Sequence, residues 1–156
     1  MKAILVGWFF LWVLMVVLTI VGAFGVQKEI TGWLNRAQVA AEARQIADNM
    51  ERVKVGMEKR GMTKGYAAWV WRVPDNDMEE IYKAVSAILE RLNKIIEIDQ
   101  SSTTYQVALD DIRGTIRELE LHAWDYQWRH SGYAFIVLWA IFAWIPLAIK
   151  WFMWAI

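Results

Sequence analysis

The chain of 156 residues carries 17 basic and 17 acidic side chains, no cysteine, and 11 tryptophans in a composition that is 57% hydrophobic. Balanced charge offers no basic excess to nucleic acid, and the lack of cysteine excludes disulfides, thiolate metal sites, iron–sulfur clusters and cysteine nucleophiles. So many tryptophans exceed what a soluble domain of this length carries, and they fit rings seated at the headgroup level of a bilayer.

Residues 3–26 contain no ionisable side chain and no proline. As a helix this run is roughly 36 Å long, enough for a hydrocarbon core of about 30 Å. It also exceeds the apolar stretch of about 7–15 residues found in signal peptides. Gly22, Ala23 and Gly25 mimic a cleavage site, but an uncleaved signal anchor is the better reading.

Residues 27–132 are expected to form a charged helical domain. Over 29–60, Trp33, Ala37, Ala40, Ala43, Ala47, Met50 and Met57 recur at helical spacing, and Gly61 supplies a stop. The stripe is mostly alanine, so a neighbouring helix can approach closely. Asn76 with Glu79 resembles an N-cap and capping box opening a helix over 76–98. Behind them Ile81, Val85, Ile88, Leu92 and Ile95 alternate steps of four and three, the a/d pattern of a bundle or coiled coil. Residues 99–102 read as a turn. Tyr105, Leu109, Ile112, Ile116, Leu119, Ala123 and Tyr126 then repeat the rhythm in a helix over 102–132 that runs unbroken into the next segment.

Residues 133–156 are expected to form a second span with an interfacial end. Lys150 can snorkel, Trp151 and Trp154 serve as anchors, and Pro146 kinks or ends the helix. The expected fold is therefore an all-α membrane protein with two terminal transmembrane helices flanking a helical-bundle or coiled-coil loop domain. Both termini then share one side. Lys2 and Lys150 in the tails favour cytoplasmic termini and an extracytoplasmic loop, although Lys28, Arg36, Arg44, Arg113, Arg117 and Arg129 lie in the loop near the spans. Counting ascents and descents suggests a four-segment antiparallel bundle in which residues 65–73 supply a short, irregular member.

Residues 65–73 are apolar and aromatic between glycines and a proline. Tyr66, Trp69 and Trp71 either cap the bundle core or form a docking surface for a partner or the lipid interface. Gly7, Ala140 and Ala143 provide small faces for helix packing in the spans, as Ala40, Ala43 and Ala47 do in the loop domain. Trp139 and Trp144 sit deep in the second span, as Trp12 does in the first, and most simply pack against other helices. Glu118, His122 and His130 are weak metal or haem candidates. A surface network of Glu118, His122, Asp125 and Arg129 is the plainer reading. Neither histidine has a glutamate three positions before it, so the Glu-x-x-His pattern of di-iron bundles is missing. No phosphate loop, HExxH or triad pattern is present, and neither span carries Asp, Glu, His or Arg at mid-depth to mark an ion pathway. No enzyme, metal or cofactor is expected.

The plan of span, helical bundle and span resembles the ectodomain half of bacterial chemoreceptors and sensor kinases. The resemblance rests on the plan and on no motif, and it implies signalling through a partner. The function expected is a non-catalytic structural or accessory subunit of a larger integral membrane complex. Its partners would be the bilayer and other membrane subunits, or a second copy of the chain, and not nucleic acid. Two alternatives are a virus- or phage-encoded membrane protein, as a virion envelope component or a lysis or exclusion factor, and a cofactor-contacting subunit of an electron-transfer or light-harvesting complex.

Overall fold

A helix that is apolar all round has no preferred face, and the first element of the chain is of this kind. The computed structural model describes residues 2–68, 71–132, 136–139 and 142. In it α1 (Lys2–Val26), a π-helical turn (Gln27–Thr31) and α2 (Gly32–Val39) follow one another with no loop. The helix Val6–Val39 is long and apolar enough to cross a membrane, and only 6% of its most apolar stretch is buried. It is the single such helix among the described residues. Below the apolar stretch one face becomes distinct: Val26, Ile30, Leu34 and Ala37 are all buried.

The single helix expected over 29–60 is instead two. Ala40 (ψ 141°) and Glu42 (φ −115°, ψ 142°) are extended, and α3 (Ala43–Lys59) folds back along α2. The groups freed by the break find partners on a helix far along the sequence. Arg113 Nη2 donates to the carbonyls of Ala40 (3.1 Å) and Ala41 (2.7 Å), and Tyr105 Oη accepts from the Ala43 N–H (3.2 Å). Gln38 Nε2 donates to the Ile116 carbonyl (3.3 Å). Folding back also gives the alanine stripe a neighbour, and Ala37, Ala40, Ala43 and Ala47 are buried. Gly56 permits the close approach of the two arms, since a Cβ there would lie 2.6 Å from the Glu29 carbonyl oxygen.

α3 ends in a Schellman motif, with Met62 N–H donating to Met57 O (2.8 Å) and Gly61 N–H to Glu58 O (3.0 Å). Gly61 takes the left-handed conformation that this cap requires (φ +69°). The expected glycine stop is thus the actual one. α4 (Met78–Ile96) opens one residue later than the capping-box reading has it. Asp77 is the N-cap and accepts from Glu79 N–H (2.9 Å), while Asn76 is buried and serves the preceding loop. The residues of the four–three rhythm, Ile81, Val85, Ile88, Leu92 and Ile95, are all buried. Ser102 caps α5 (Thr103–Glu118) by accepting from Tyr105 N–H.

α2 packs on α3, α3 on α4, α4 on α5, and α5 returns to α2. The closed arrangement is a four-helix bundle and not a coiled coil, for each helix is short and seats its apolar face against two neighbours. The fourth member is α2. Residues 65–68 and 71–73 do not descend through the bundle but lie at its base, where Ala67 N–H bonds Asn76 O and Met78 N–H bonds Gly65 O.

The unbroken last helix is also not observed. α5 ends at Glu118, Leu119 is extended (ψ 108°), His122 has φ +37°, and α6 (Ala123–His130) starts afresh. The break lets Leu121 turn inward, where it is buried with Ala123 and Tyr126. A second interruption follows at Ser131 and Gly132 (φ +76°). Ile136–Trp139 and Phe142 are helical. Otherwise the span expected over 133–156 lies outside the described residues.

Arg113→Ala should leave the carbonyl of buried Ala40 without its partner and lower stability by about 1–3 kcal/mol, the range for a buried acceptor left unsatisfied. Denaturant unfolding would measure the loss, and hydrogen exchange should accelerate first at 40–46.

Candidate functional site

Where α1 enters the bundle, three helices and a loop meet. Glu29, in the π-helical turn, accepts from Lys59 Nζ (3.1 Å) and Arg60 Nε (3.0 Å) at the end of α3. Arg60 Nη1 donates to Gln127 Oε1 (3.4 Å) on α6. The guanidinium lies over Gly25, where a Cβ would stand 2.7 Å from Nη2. Arg60 is therefore the tie between α1, α3 and α6. Its side chain is only 16% exposed, against 67% for Lys59, so the Arg60 pair is the less screened of the two. The Lys59 hydrogen bond, helped by Arg60 and opposed by partial burial, holds the Glu29 carboxyl below the ordinary carboxylate range.

The loop across the base is held from the same side. Arg129 Nη1 donates to the carbonyls of Tyr66 (2.9 Å) and, in a short contact, Ala68. Tyr126 Oη reaches the carbonyls of Gly61 (2.8 Å) and Lys64 (3.2 Å), and burial raises its phenol above the ordinary range despite the nearby Arg129 cation. Asn76 closes the loop internally, with Nδ2 donating to Trp71 O (2.7 Å) and Oδ1 accepting from Val73 N–H (3.3 Å).

This geometry decides where the sequence candidates stand. Trp71 is 80% exposed and does not cap the core, a place taken by Met62 and Ala67. Tyr66 is half-buried with Arg72 over its ring (5.5 Å). Trp139 stacks on Trp8 with ring centroids 4.7 Å apart. Ala40, Ala43 and Ala47 are consumed within the α2–α3 hairpin. Gly7 has open space where a Cβ would stand. Trp69, Trp144, Trp151, Trp154, Ala140 and Ala143 lie outside the described residues.

Of the expected face of Glu118, His122, Asp125 and Arg129 only the His122–Asp125 pair forms, because the helix ends between Glu118 and His122. His122 instead lies between Glu120 (3.5 Å) and Asp125 (3.6 Å), and Arg129 turns to the loop. These carboxylates and Asp75 border an open cleft of about 510 Å³ beside the base. The side chains lining it can hold protons, but they include no hydroxyl, thiol or amine nucleophile. His130 stacks on Tyr126 (3.9 Å), and its Nδ1–H donates to the Tyr126 carbonyl (2.9 Å), which can only accept. Among the described residues no three His, Asp or Glu side chains converge as a metal site.

Compared with protein-family models, curated proteins and solved structures, the chain matches none. The functional reading rests on its own residues.

Because the Glu29 carboxyl titrates lower folded than unfolded, its contribution is present above the unfolded value and lost as pH falls through the folded one. Acidification should therefore open the junction, read as faster hydrogen exchange at 25–31 and 57–61. Glu29→Gln should show that fast exchange already at neutral pH, with the acid step gone.

Proposed function

We propose that the chain is a non-catalytic structural or accessory subunit of a larger integral membrane assembly, presenting its bundle as a stiff stalk. The observation that carries this reading is the exposed apolar surface of a helix that continues directly into the bundle. Phe10 is 66% exposed, Val21 62% and Phe24 69%. Contiguous apolar surface of this extent marks a site covered by lipid or by partner helices. The tie through Arg60 then makes the bundle follow the tilt of α1.

A second span over 133–156 completes the anchor in this proposal, with Trp139 stacked on Trp8 as its support. Both termini then share a side, and the basic tails favour the cytoplasm. Cations on the bundle do not decide against that, since a loop of this length is translocated largely regardless of its charge.

Gentle extraction from the native membrane should yield a particle larger than the chain, with defined partner chains and no visible absorption. A lone monomer or a particle of this chain alone would overturn the subunit reading, and visible absorption would return weight to a cofactor-contacting role. The hairpin is tested separately, since the chain has no cysteine of its own. Trp8→Cys combined with Trp139→Cys should be bridged within one chain by a short bis-maleimide, whereas cross-linking only between chains would remove the second span from α1.

A further inference from the structure

The loop before α4 leaves an indole and a cation without a seat, beside a cleft lined with carboxylates. Trp71 is 80% exposed. Arg72 is exposed too, and among the described residues its guanidinium meets only the face of Tyr66. Val73 already belongs to the wall of the open cleft of about 510 Å³, with Ala67, Ala68 and Trp128. Asp75, Glu120 and Asp125 line the same cleft, and no described lysine or arginine does. Among the described residues Asp75 meets no cation, and Glu120 and Asp125 have only His122 between them. Glu118 adds to the same charge from an adjoining cleft that shares Asp75 and Glu120. The carboxylates at the start of α4 are used otherwise: Asp77 caps the helix, and Glu79 and Glu80 share Lys83.

Projection and cleft are held in register. Asn76 Nδ2 donates to the Trp71 carbonyl (2.7 Å), and Asn76 itself lines the cleft. A face that carries both a projection and a cleft of opposite charge can pair with itself about a twofold axis, each copy giving once and receiving once. An unrelated partner would need its own apolar cation for the cleft and its own acidic seat for Arg72. A second copy of the chain has both by construction. Tryptophan and arginine are also the side chains that dominate interfaces when water is excluded from them.

We infer that the base of the bundle is a self-docking surface, at which Trp71 and Arg72 of each copy enter the cleft of the other. The guanidinium meets Asp75, Glu120 and Asp125, and the indole lies against the apolar wall. The inference does not require α1 to cross a membrane. It also leaves open which other chains accompany the pair.

The purified full chain in detergent would be followed by native mass spectrometry over a concentration series. The wild type should form a dimer that weakens as salt is raised. Arg72→Glu places like charges together, as does Glu120→Lys combined with Asp125→Lys, and each variant should dimerise about tenfold more weakly or worse. Trp71→Ala should weaken the dimer without touching a charge, and circular dichroism would confirm that every variant is folded. Mixed in equal amounts, the two charge variants should recover a mixed dimer, because every projection in it again faces a cleft of opposite charge. A monomeric wild type, variants that dimerise like the wild type, or a mixture that fails to pair would each overturn the inference. None of these results touches the subunit reading, which is decided by the other chains in the native particle.

Discussion

The continuous helix from α1 into α2 carries direction from the apolar stretch into the bundle, and Arg60 braces that junction against the neighbouring helices. Its guanidinium takes the Glu29 carboxylate from one helix and the Gln127 amide from another, while its stem belongs to a third. Gly25 leaves the space for it. An ammonium is a compact point charge and lacks the planar fork that serves several acceptors in fixed directions. Lys59 shows the contrast within one site, with the same carboxylate as partner but a mostly exposed side chain.

Arginine is used again at two places where helices stop. Arg113 takes the carbonyls freed between α2 and α3, and Arg129 takes those of the loop that crosses the base. A helix interruption leaves backbone acceptors without partners, and a buried acceptor left unpaired is costly. Two arginines thus serve two interruptions, and Asn76 serves the loop before α4 from within. These polar side chains fix the path of the chain.

That role limits how far the sequence could be read. The apolar run of α1, the buried faces of α4 and α5, the turn over 99–102 and the stop at Gly61 all come from local pattern, because period and caps are local properties. The count of four segments was also legible, yet it was assigned to the wrong member. A stripe of alanines has the same period whether the helix continues or folds back at Ala40. The groups that stabilise the fold-back, Arg113 and Tyr105, stand more than sixty residues away. The break before His122 escaped for the same reason, since Leu119 and Ala123 keep the rhythm across it. At the base, Trp71 drew notice by its type. Arg60 and Gln127 carried no local signal, although they form the junction.

The chain leaves the bundle toward α1 and toward residue 132 by mechanically unlike routes. From α2 to α1 the helix is continuous, widened by one π-helical turn and tied by Arg60. From α5 outward the chain is interrupted twice, at 119–122 and at Ser131 and Gly132, where the left-handed conformations of His122 and Gly132 end helical regularity. A piston or rotation transmitted equally through both routes would need two stiff rods, and among the described residues only one is present. An anchor that sets the bundle's direction through one rod, and tolerates movement of its neighbours through a jointed arm, needs what this chain has. That asymmetry supports the proposed positioning role over a transducing one.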